Sequence, residues 1–562
     1  MAQTNSSERN RWLLITTVIT LGLISLVQAG CSCGSSSSVT PSAITDVFPP
    51  QSSDGALVST LVTATFRDDM NDSTINTSTF TLTVGGAPVA AASVNYDATT
   101  KTATLTPAAD LVSDTEYRAT ISSSVEDTGG NKPLASDYVW SFTVSPATYL
   151  ASKDSNGVVG NIRSDISDID ATGQYVVFVS SATNLVTNFV TNGLNHIYRK
   201  DMITGEILLV SSDDNGLEAN NSSSSPRISD DGRFVVFEST ATNLSSILTG
   251  GTQQIFIKDM DDGSIELASR DLTLNAANGI CTDPDVSDDG RYVVFASTAA
   301  NLTAIPGGGF SQIYYKDMAD ESVDMLSLRT TLTTGATGQS NNTDMSADGQ
   351  YIVFESNASD LISPSPTASI NIYFIDISTP TNIEHISVNT AGTDAFGNSL
   401  NPSVSNDGRY VAFDSIATNL ATSDNNGNDD VFLRDRNPAG SPTTILVSVD
   451  PSGGDSANGK STSASISGDG AFIAFQSDAI DIATGDNPGL IDIFIRDLAS
   501  ASITINQVNI TDPGIPSPTF DSANASISSD GRYVSFDSRD RYTLEDDMNG
   551  IVDAYRAYNS TF

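Results

Sequence analysis

From residue 146 onward, short apolar strands alternate with polar turns at a fixed period. Each repeat reads as a short strand, an Asp-Gly turn or close variant, an apolar strand such as RFVVFEST or RYVVFAST, a variable loop, a strand like IFIKDM and a strand like ILLVS. The turn glycines are Gly173, Gly232, Gly290, Gly349, Gly408, Gly470 and Gly531, with separations of 59, 58, 59, 59, 62 and 61 residues. Four strands per period predict seven propeller blades, because one blade cannot bury its faces without neighbours.

The two ends of this repeat region predict how the ring closes. The seventh copy stops at a segment, 554–560, that aligns with strand three, so it lacks a fourth strand of its own. YLASKDSNG (149–157) aligns with LLVSSDDNG (208–216), and Ser152 precedes Gly173 by the same 21 residues that separate Ser211 from Gly232. We therefore predict that this early strand completes the last blade of a propeller spanning 146–562, which removes the open sheet edges.

Residues 44–145 show strand alternation without that period. Segments such as 61–66 and 79–84 alternate apolar and polar side chains between turn clusters, as in a β-sandwich of about 100 residues. Trp140 and Phe142 are expected to face the sandwich core. Asp127 and Asn131 are expected to shape a glycine-rich turn.

Several motifs resemble known families. FRDDMNDSTINTSTFTL (66–82), LTPAADLVSDTEYRATI (105–121), VEDTGGNKPL (125–134) and YVWSFTV (138–144) resemble the bacterial Ig-like domain of the SbsA type, which in exported proteins is a spacer or adhesion module. SDDGRYVVF followed by IYYKDM resembles the WD40-like repeats of TolB-type propellers. Taken with the seven repeats and the alignment of the chain ends, these resemblances predict an all-β chain, with an Ig-like β-sandwich followed by a seven-bladed β-propeller closed by an N-terminal strand.

The N-terminus indicates export. Arg9 and Arg11 precede an apolar run at 12–27, which is shorter than the roughly 20 residues of a membrane-spanning helix and is typical of a signal peptide over 1–30. Ala-Gly-Cys at 29–31 resembles the bacterial lipobox, which implies lipidation of Cys31, followed by a Ser-rich tether over 31–43. Ser32 resembles an outer-membrane sorting signal, so we expect a cell-envelope lipoprotein of the outer membrane. The alternative is an ordinary secreted protein cut before Cys31.

Charge and rare residues narrow the function. The chain carries 26 Lys and Arg against 68 Asp and Glu, a formal net charge of -42, and its field therefore repels phosphate backbones and excludes nucleic acid as a partner. Three cysteines, of which Cys281 lies far from Cys31 and Cys33, give no disulfide framework. The two histidines, His196 and His385, lie in different blades without a nucleophile motif, so no catalytic residues are assigned.

Three loops before strand three suggest a cation site. In blades five, six and seven, Asp recurs six residues apart with Gly three after the first, and Ca²⁺ prefers such carboxylate and amide oxygens. The alternative is an ordinary polar hairpin, since the loops lack the alternating ligands of an EF-hand. The candidate metal ligands are Asp424, Asn426 and Asp430, then Asp486 and Asp492, then Asp547, Asn549 and Asp553.

These observations favour a non-catalytic, lipid-anchored envelope or surface protein whose propeller loops bind a protein, peptide or glycan. One alternative is a propeller enzyme, a hydrolase or lyase acting on polysaccharide. Another is a TolB-like envelope assembly factor. The enzyme alternative requires carboxylates, arginine and aromatic side chains from several blades to meet in one deep pocket.

Overall fold

The computed structural model describes residues 43–49, 51, 61–109, 111–112, 115–144, 148–186, 193–366, 370–437, 440–483, 489–500, 504–509, 518–542 and 549–559. Among these residues, no helix is long and apolar enough to cross a bilayer. The single helical element they contain is a 3₁₀ turn at Asp72–Thr74.

The N-terminal unit is a sandwich of two four-stranded sheets, ordered β1-β2-β6-β5 and β4-β3-β7-β8. Its strands are β1 (Ile44–Phe48), β2 (Val62–Phe66), β3 (Phe80–Val84), β4 (Ala87–Val89), β5 (Ala91–Asp97), β6 (Thr102–Pro107), β7 (Thr115–Ile121) and β8 (Tyr138–Val144). Trp140 and Phe142 are buried, as predicted, and the Trp140 indole donates to the Pro49 carbonyl at 3.1 Å. Asp127 accepts the backbone N–H groups of Gly129 and Asn131, which confirms its turn role.

The C-terminal unit is built from seven further four-stranded sheets; six of them are ordered by sequence from the first strand to the fourth, and the seventh takes an earlier strand as its fourth. The strands of blades one to four are β10 (Ser164–Ile169), β11 (Tyr175–Ser180), β12 (His196–Asp201) and β13 (Ile207–Leu209), then β14 (Ser223–Ile228), β15 (Phe234–Ser239), β16 (Gln254–Asp259) and β17 (Ile265–Leu267), then β18 (Cys281–Val286), β19 (Tyr292–Ser297), β20 (Gln312–Asp317) and β21 (Val323–Met325), then β22 (Ser340–Met345), β23 (Tyr351–Ser356), β24 (Asn371–Asp376) and β25 (Ile383–His385).

Blades five to seven continue the same order, and the last of them includes the early strand β9 (Thr148–Leu150). The strands are β26 (Ser399–Val404), β27 (Tyr410–Ser415), β28 (Asp430–Asp435) and β29 (Thr443–Leu446), then β30 (Ser461–Ile466), β31 (Phe472–Ser477), β32 (Asp492–Asp497) and β33 (Thr504–Gln507), then β34 (Ser522–Ile527), β35 (Tyr533–Ser538) and β36 (Asp553–Tyr558).

Ring closure follows the prediction. Strand β9 pairs antiparallel with β36, with Leu150 opposite Tyr555. The Ala151 N–H donates to the Ala554 carbonyl at 2.8 Å, and the Ser152 hydroxyl donates to Asp553 at 2.6 Å. The seven-bladed ring is therefore closed by hydrogen bonds between its first and last strands.

The Asp-Gly turn that sets the period also packs successive blades together. Each turn glycine has a positive φ, which glycine adopts without a Cβ clash. In every blade the space a Cβ would need is occupied by an aromatic ring at the start of strand two of the preceding blade; for Gly408 it would lie 2.5 Å from Cγ of Tyr351. The glycine and the aromatic residue therefore act together as an inter-blade contact.

Candidate functional site

The first strands of all seven blades line an axial channel. Each of these strands carries a β-bulge, where the register with strand two shifts by one residue. One residue in each bulge has the left-handed backbone that is uncommon outside glycine. These seven residues, here called the bulge ring, are Ile166, Ser225, Asp283, Asn342, Asn401, Ser463 and Asn524.

The bulge ring is held by polar side chains from neighbouring blades. These side chains come from the fifth and next-to-last residue of strand two: Glu238 accepts the N–H of Asp283 at 2.9 Å, and Asp414 accepts the N–H of Ser463 at 3.1 Å. Glu355, Gln476 and Asp537 occupy the equivalent places in blades four, six and seven. Burial raises the pKa of Asp414 to about 7, because a buried carboxylate loses its hydration.

Deeper in the channel, a second layer of side chains repeats this inter-blade bonding. Asp168 accepts the Ile228 N–H at 3.0 Å, and Asp344 accepts the Val404 N–H at 2.8 Å. Asp285 accepts the Met345 N–H in the same way, while serines take this position in blades five to seven.

Blade two departs from the layer, because Arg227 takes the position of the carboxylates. Its guanidinium lies 3.7 Å from Asp168. The charges of Asp168, Asp285 and Asp344 raise the pKa of this arginine against the opposing effect of burial. One cation thus lies among carboxylates from three other blades, and this partly neutralises the channel.

The Asp-Gly turns narrow the far end of the channel. Their backbones are hydrogen-bonded from blade to blade, as from the Asp288 N–H to the Ala347 carbonyl at 2.8 Å. The Asn406 amide reaches across the ring to Asp230, at 3.3 Å, and to Ser529, at 3.0 Å. Burial, with the nearby charge of Asp230, raises the pKa of Asp288 to about 7.

The channel is widest at the bulge ring. The cavity there has a volume of about 280 Å³, against about 100 Å³ at the end beside Asn406. The wide cavity takes residues from every blade, mostly serine, asparagine, threonine and proline, with Arg227 and Asp344 at its floor. No aromatic side chain is among the described residues that line either cavity. Such a surface offers many hydrogen-bond donors and acceptors and little apolar area for a ligand to cover.

The predicted metal ligands Asp430, Asp492 and Asp553 share one structural position, the first residue of strand three. In every blade this residue is polar and buried, and it bonds to a polar side chain after strand four of the same sheet. These pairs are His196 with Ser211, Gln254 with Ser269, Gln312 with Ser327, Asn371 with Ser387, Asp430 with Ser448, Asp492 with Asn509, and Asp553 with Ser152.

Blade five has a second buried acid in the loop that precedes strand three. Asp424, also a predicted ligand, is 6% exposed, and neither of its carboxylate oxygens has a hydrogen-bond partner among the described residues. Burial raises its pKa, because a buried carboxylate loses its hydration. Burial also raises the pKa of Asp430 to about 7, with Ser448 opposing the shift and the charge of Asp424 adding to it.

The other predicted site residues are placed differently. Asn549 in blade seven donates to Gly160 and to Asp553, at 3.2 and 3.3 Å. Cys31, Asp486 and Asp547 lie outside the described residues. In the described part of the chain, no three His, Cys, Asp or Glu side chains are grouped to hold a metal ion.

The two histidines and the buried cysteine serve in packing and hydrogen bonding. His196 is fully buried, which lowers its pKa to about 4, and its Nδ1 shares a hydrogen bond of 3.1 Å with the Ser211 hydroxyl. His385 lies 3.4 Å from Asp394 through Nδ1. Cys281 is buried at the start of β18, and burial raises the pKa of its thiol to about 12, which keeps it protonated.

Sequence reasoning missed the bulge ring and the channel layers. A signal was present in the repeats, because in five blades a Glu, Asp or Gln near the end of strand two directly follows the apolar run and its phenylalanine. A polar residue inside an apolar strand indicates a specific buried partner. That partner lies in the next blade, so its identity did not follow from the local pattern.

Comparison with known proteins agrees with this architecture. Residues 38–144 match the family model described as bacterial Ig-like domain. No curated protein matches the chain. Among solved structures, the putative TolB from Agrobacterium tumefaciens is 15% identical, with a TM-score of 0.36, over 71% of this chain and 99% of that one.

Two other propellers are similarly distant. An oligogalacturonate lyase from Vibrio parahaemolyticus is 11% identical, with a TM-score of 0.42, over 71% of this chain and 91% of that one. The β-propeller domain of the Trilobed protease from Pyrococcus furiosus, which has an open velcro topology, is 11% identical, with a TM-score of 0.38, over 72% and 95% of the two chains. These likenesses concern the fold alone. The chain therefore combines a segment that matches a bacterial Ig-like domain, residues 38–144, with a seven-bladed β-propeller.

Proposed function

We propose that this chain is a non-catalytic cell-envelope protein whose propeller binds an extended segment of a protein, peptide or glycan at the bulge-ring end of its axial channel. The observation that carries the proposal is the cavity of about 280 Å³, lined by polar side chains from all seven blades. Concave sites with convergent polar groups are where propellers and other folds take ligands. The bacterial Ig-like domain supports the cell-envelope location.

The hydrogen bonding of the channel carboxylates favours binding over catalysis. Asp285 and Asp344 each accept a backbone N–H from the next blade, so these carboxylates hold the ring together. An acid-base pair for glycosidic chemistry needs carboxyl groups that can reach the scissile bond.

Charge restricts the partner further. With a net charge of -42, the protein repels polyanions, so a neutral or cationic segment is the favoured ligand. Arg227 and the surrounding aspartates then offer both signs of charge at the floor of the cavity.

A tryptophan in the cavity wall tests the binding role. Ala525 is half-buried and lines the wide cavity, so Ala525→Trp is expected to fill it without removing a side-chain hydrogen bond. In pull-downs from envelope extracts, we expect this variant to lose at least about tenfold of the captured partner, equal to about 1.4 kcal/mol. The matched control is Ala319→Trp in an exposed outer turn. Equal capture by both variants, with unchanged melting temperatures, would contradict the channel as the binding site.

We also propose that a lipid on Cys31 attaches the mature protein to the outer membrane, which the lipobox-like Ala-Gly-Cys sequence supports. A Cys31→Ser variant is expected to leave the membrane fraction, because an ordinary secreted chain has no acyl anchor. Cys33→Ser, two residues away, is the control and is expected to remain membrane-bound. Fractionation with labelled fatty acid measures both properties. Membrane retention of Cys31→Ser, or no label on the wild type, would contradict the anchor.

A further inference from the structure

The buried first residue of strand three makes different hydrogen bonds from blade to blade. In blade two, the Gln254 amide nitrogen donates to the carbonyls of Ala277 and Gly279 at 3.1 and 3.3 Å. In blade three, the Gln312 amide nitrogen donates to the equivalent Ala336 and Gly338 carbonyls and to Gly307. A glutamine N–H₂ group therefore supplies the positive partner for a cluster of backbone oxygens.

Blade five replaces that donor with an acid. Asp430 is fully buried and one methylene shorter than glutamine, and as a carboxylate it has no hydrogen to donate. Its Oδ1 accepts from the Ser448 hydroxyl at 2.7 Å, while its Oδ2 has no hydrogen-bond partner among the described residues. The donor to the Ala457 carbonyl, the counterpart of Ala277, is now the Asn426 amide at 2.6 Å.

The loop before strand three adds a second buried carboxylate. It is fixed against the segment after strand four, because the Ser456 N–H donates to Ser423 and the Asn425 amide donates to Asp455. Between these two bonds lies Asp424, buried and with both oxygens unpartnered within the described structure. Lys460 pairs with the neighbouring Asp429 at 2.8 Å.

Three of the four oxygens of these buried carboxylates have no donor among the described residues, which is costly, and coordination of a metal ion is one way to compensate such buried charge. We propose that blade five binds one Ca²⁺ ion through the carboxylates of Asp424 and Asp430. Both proposed ligands offer carboxylate oxygens, which hard cations prefer, and neither is a cysteine or a histidine. Ca²⁺ accepts irregular sets of carboxylate, carbonyl and water oxygens more readily than Mg²⁺ does.

The inference stands apart from the proposed binding function, since the site lies in the outer loops of one blade and not in the channel. A bound ion would tie the loop at 424–430 to the strand below it, doing in blade five what a glutamine amide does in blades two and three. The ion is therefore assigned a stabilising role.

Calorimetric titration of the mature full-length protein with CaCl₂ tests the site, in about 0.15 M salt to screen diffuse binding to the acidic surface. We expect one saturable site, and a melting temperature about 3 °C higher with excess Ca²⁺ than with a chelator. Asp424→Asn is expected to weaken Ca²⁺ binding at least about tenfold. Asp430→Gln, which copies blades two and three, is expected to abolish Ca²⁺ binding and to make the melting temperature insensitive to chelation.

The control is Asp261→Asn, which removes a charge at a residue whose side chain is 71% exposed and is expected to leave the titration unchanged. Mg²⁺ in place of Ca²⁺ is expected to bind at least about tenfold more weakly. No saturable site in the wild type, or unchanged Ca²⁺ binding in folded Asp424→Asn and Asp430→Gln proteins, would overturn the proposal. If the wild-type protein captures no partner but its Ca²⁺ titration shows the expected site, only the proposed binding function of the channel is contradicted.

Discussion

At the residue scale, the acids near the end of strand two act as inter-blade hydrogen-bond acceptors. Each accepts from a left-handed backbone that its own blade does not satisfy, as Asp414 does for Ser463. Burial raises the pKa of Asp414 to about 7 and that of Asp537 to about 6, and it raises the pKa of Glu238 and Glu355 as well. These groups therefore bind protons more tightly in the folded protein than in the unfolded chain.

The sign of the resulting pH dependence follows from linkage. A carboxyl whose folded pKa is raised contributes stability fully below its unfolded pKa, near 4, and loses that contribution as pH rises through the folded value. For Asp414 this window runs from about 4 to about 7. The propeller is therefore expected to be more stable at about pH 5 than at about pH 8, opposite to proteins whose acids are held in salt bridges.

Replacing Asp414 with a neutral isostere isolates one such group. Asp414→Asn is expected to reduce the stability difference between about pH 5 and about pH 8 by about 2 kcal/mol, because the amide does not titrate. Urea unfolding at both pH values measures the change in the free energy of unfolding. The reciprocal variant is Gln476→Glu, which places a titrating group at the equivalent site of blade six and should increase the difference. A pH dependence unaltered by both substitutions would show that these acids are not its source.

At the element scale, the hairpin between strands one and two links neighbouring blades through its glycine. Gly408 has a φ of +65°, and a Cβ there would meet the Tyr351 ring of blade four at 2.5 Å. Gly392 has a similarly positive φ, yet a Cβ there would meet nothing within 4 Å. The two positions separate the cost of the backbone conformation from the cost of the inter-blade clash.

We predict unequal losses on alanine substitution. Gly392→Ala should cost about 1 kcal/mol for the left-handed backbone alone. Gly408→Ala should cost about 3 kcal/mol, since overpacking against the ring adds to the same backbone term. Denaturant midpoints of the two variants and the wild type provide the measurement. Equal destabilisation would mean that the aromatic ring moves aside and that the contact contributes little to blade packing.

The same elements show what sequence could and could not predict. Strand order, turn position and period were readable because hydrophobic alternation and Asp-Gly turns are local signals. The role of Asp430 was only partly readable: the other candidate metal ligand, Asp424, lies six residues away in the sequence, but the hydrogen-bond partner Ser448 lies after the fourth strand. The bulge ring could not be predicted for the same reason, because each of its residues bonds to a side chain of a neighbouring blade. Asp283, for example, bonds to Glu238, which lies 45 residues away in the chain.

At the scale of the whole molecule, the pairing of β9 with β36 confirms the predicted ring closure. The sequence allowed this prediction because the last repeat lacks a fourth strand and the segment at 149–157 aligns with one. The channel was not predicted in detail, since its character depends on seven nearby first strands. Arg227 illustrates this. Within its own repeat it is a single basic residue, and in the assembled channel its charge lies near the carboxylates of Asp168, Asp285 and Asp344 from three other blades. Such an environment arises only once all blades are assembled.

The pairing of the early strand β9 with β36 means that the ring cannot close until the end of the chain has been synthesised. Ser152 and Asp553, which bond across this closure, lie 401 residues apart in the chain. At a synthesis rate of roughly 5 to 20 residues per second, the first strand emerges about 20 to 80 seconds before its partner exists. During that interval the growing chain is an open arc with two unpaired edges, so this is when chaperones or proteases would have the best access to it.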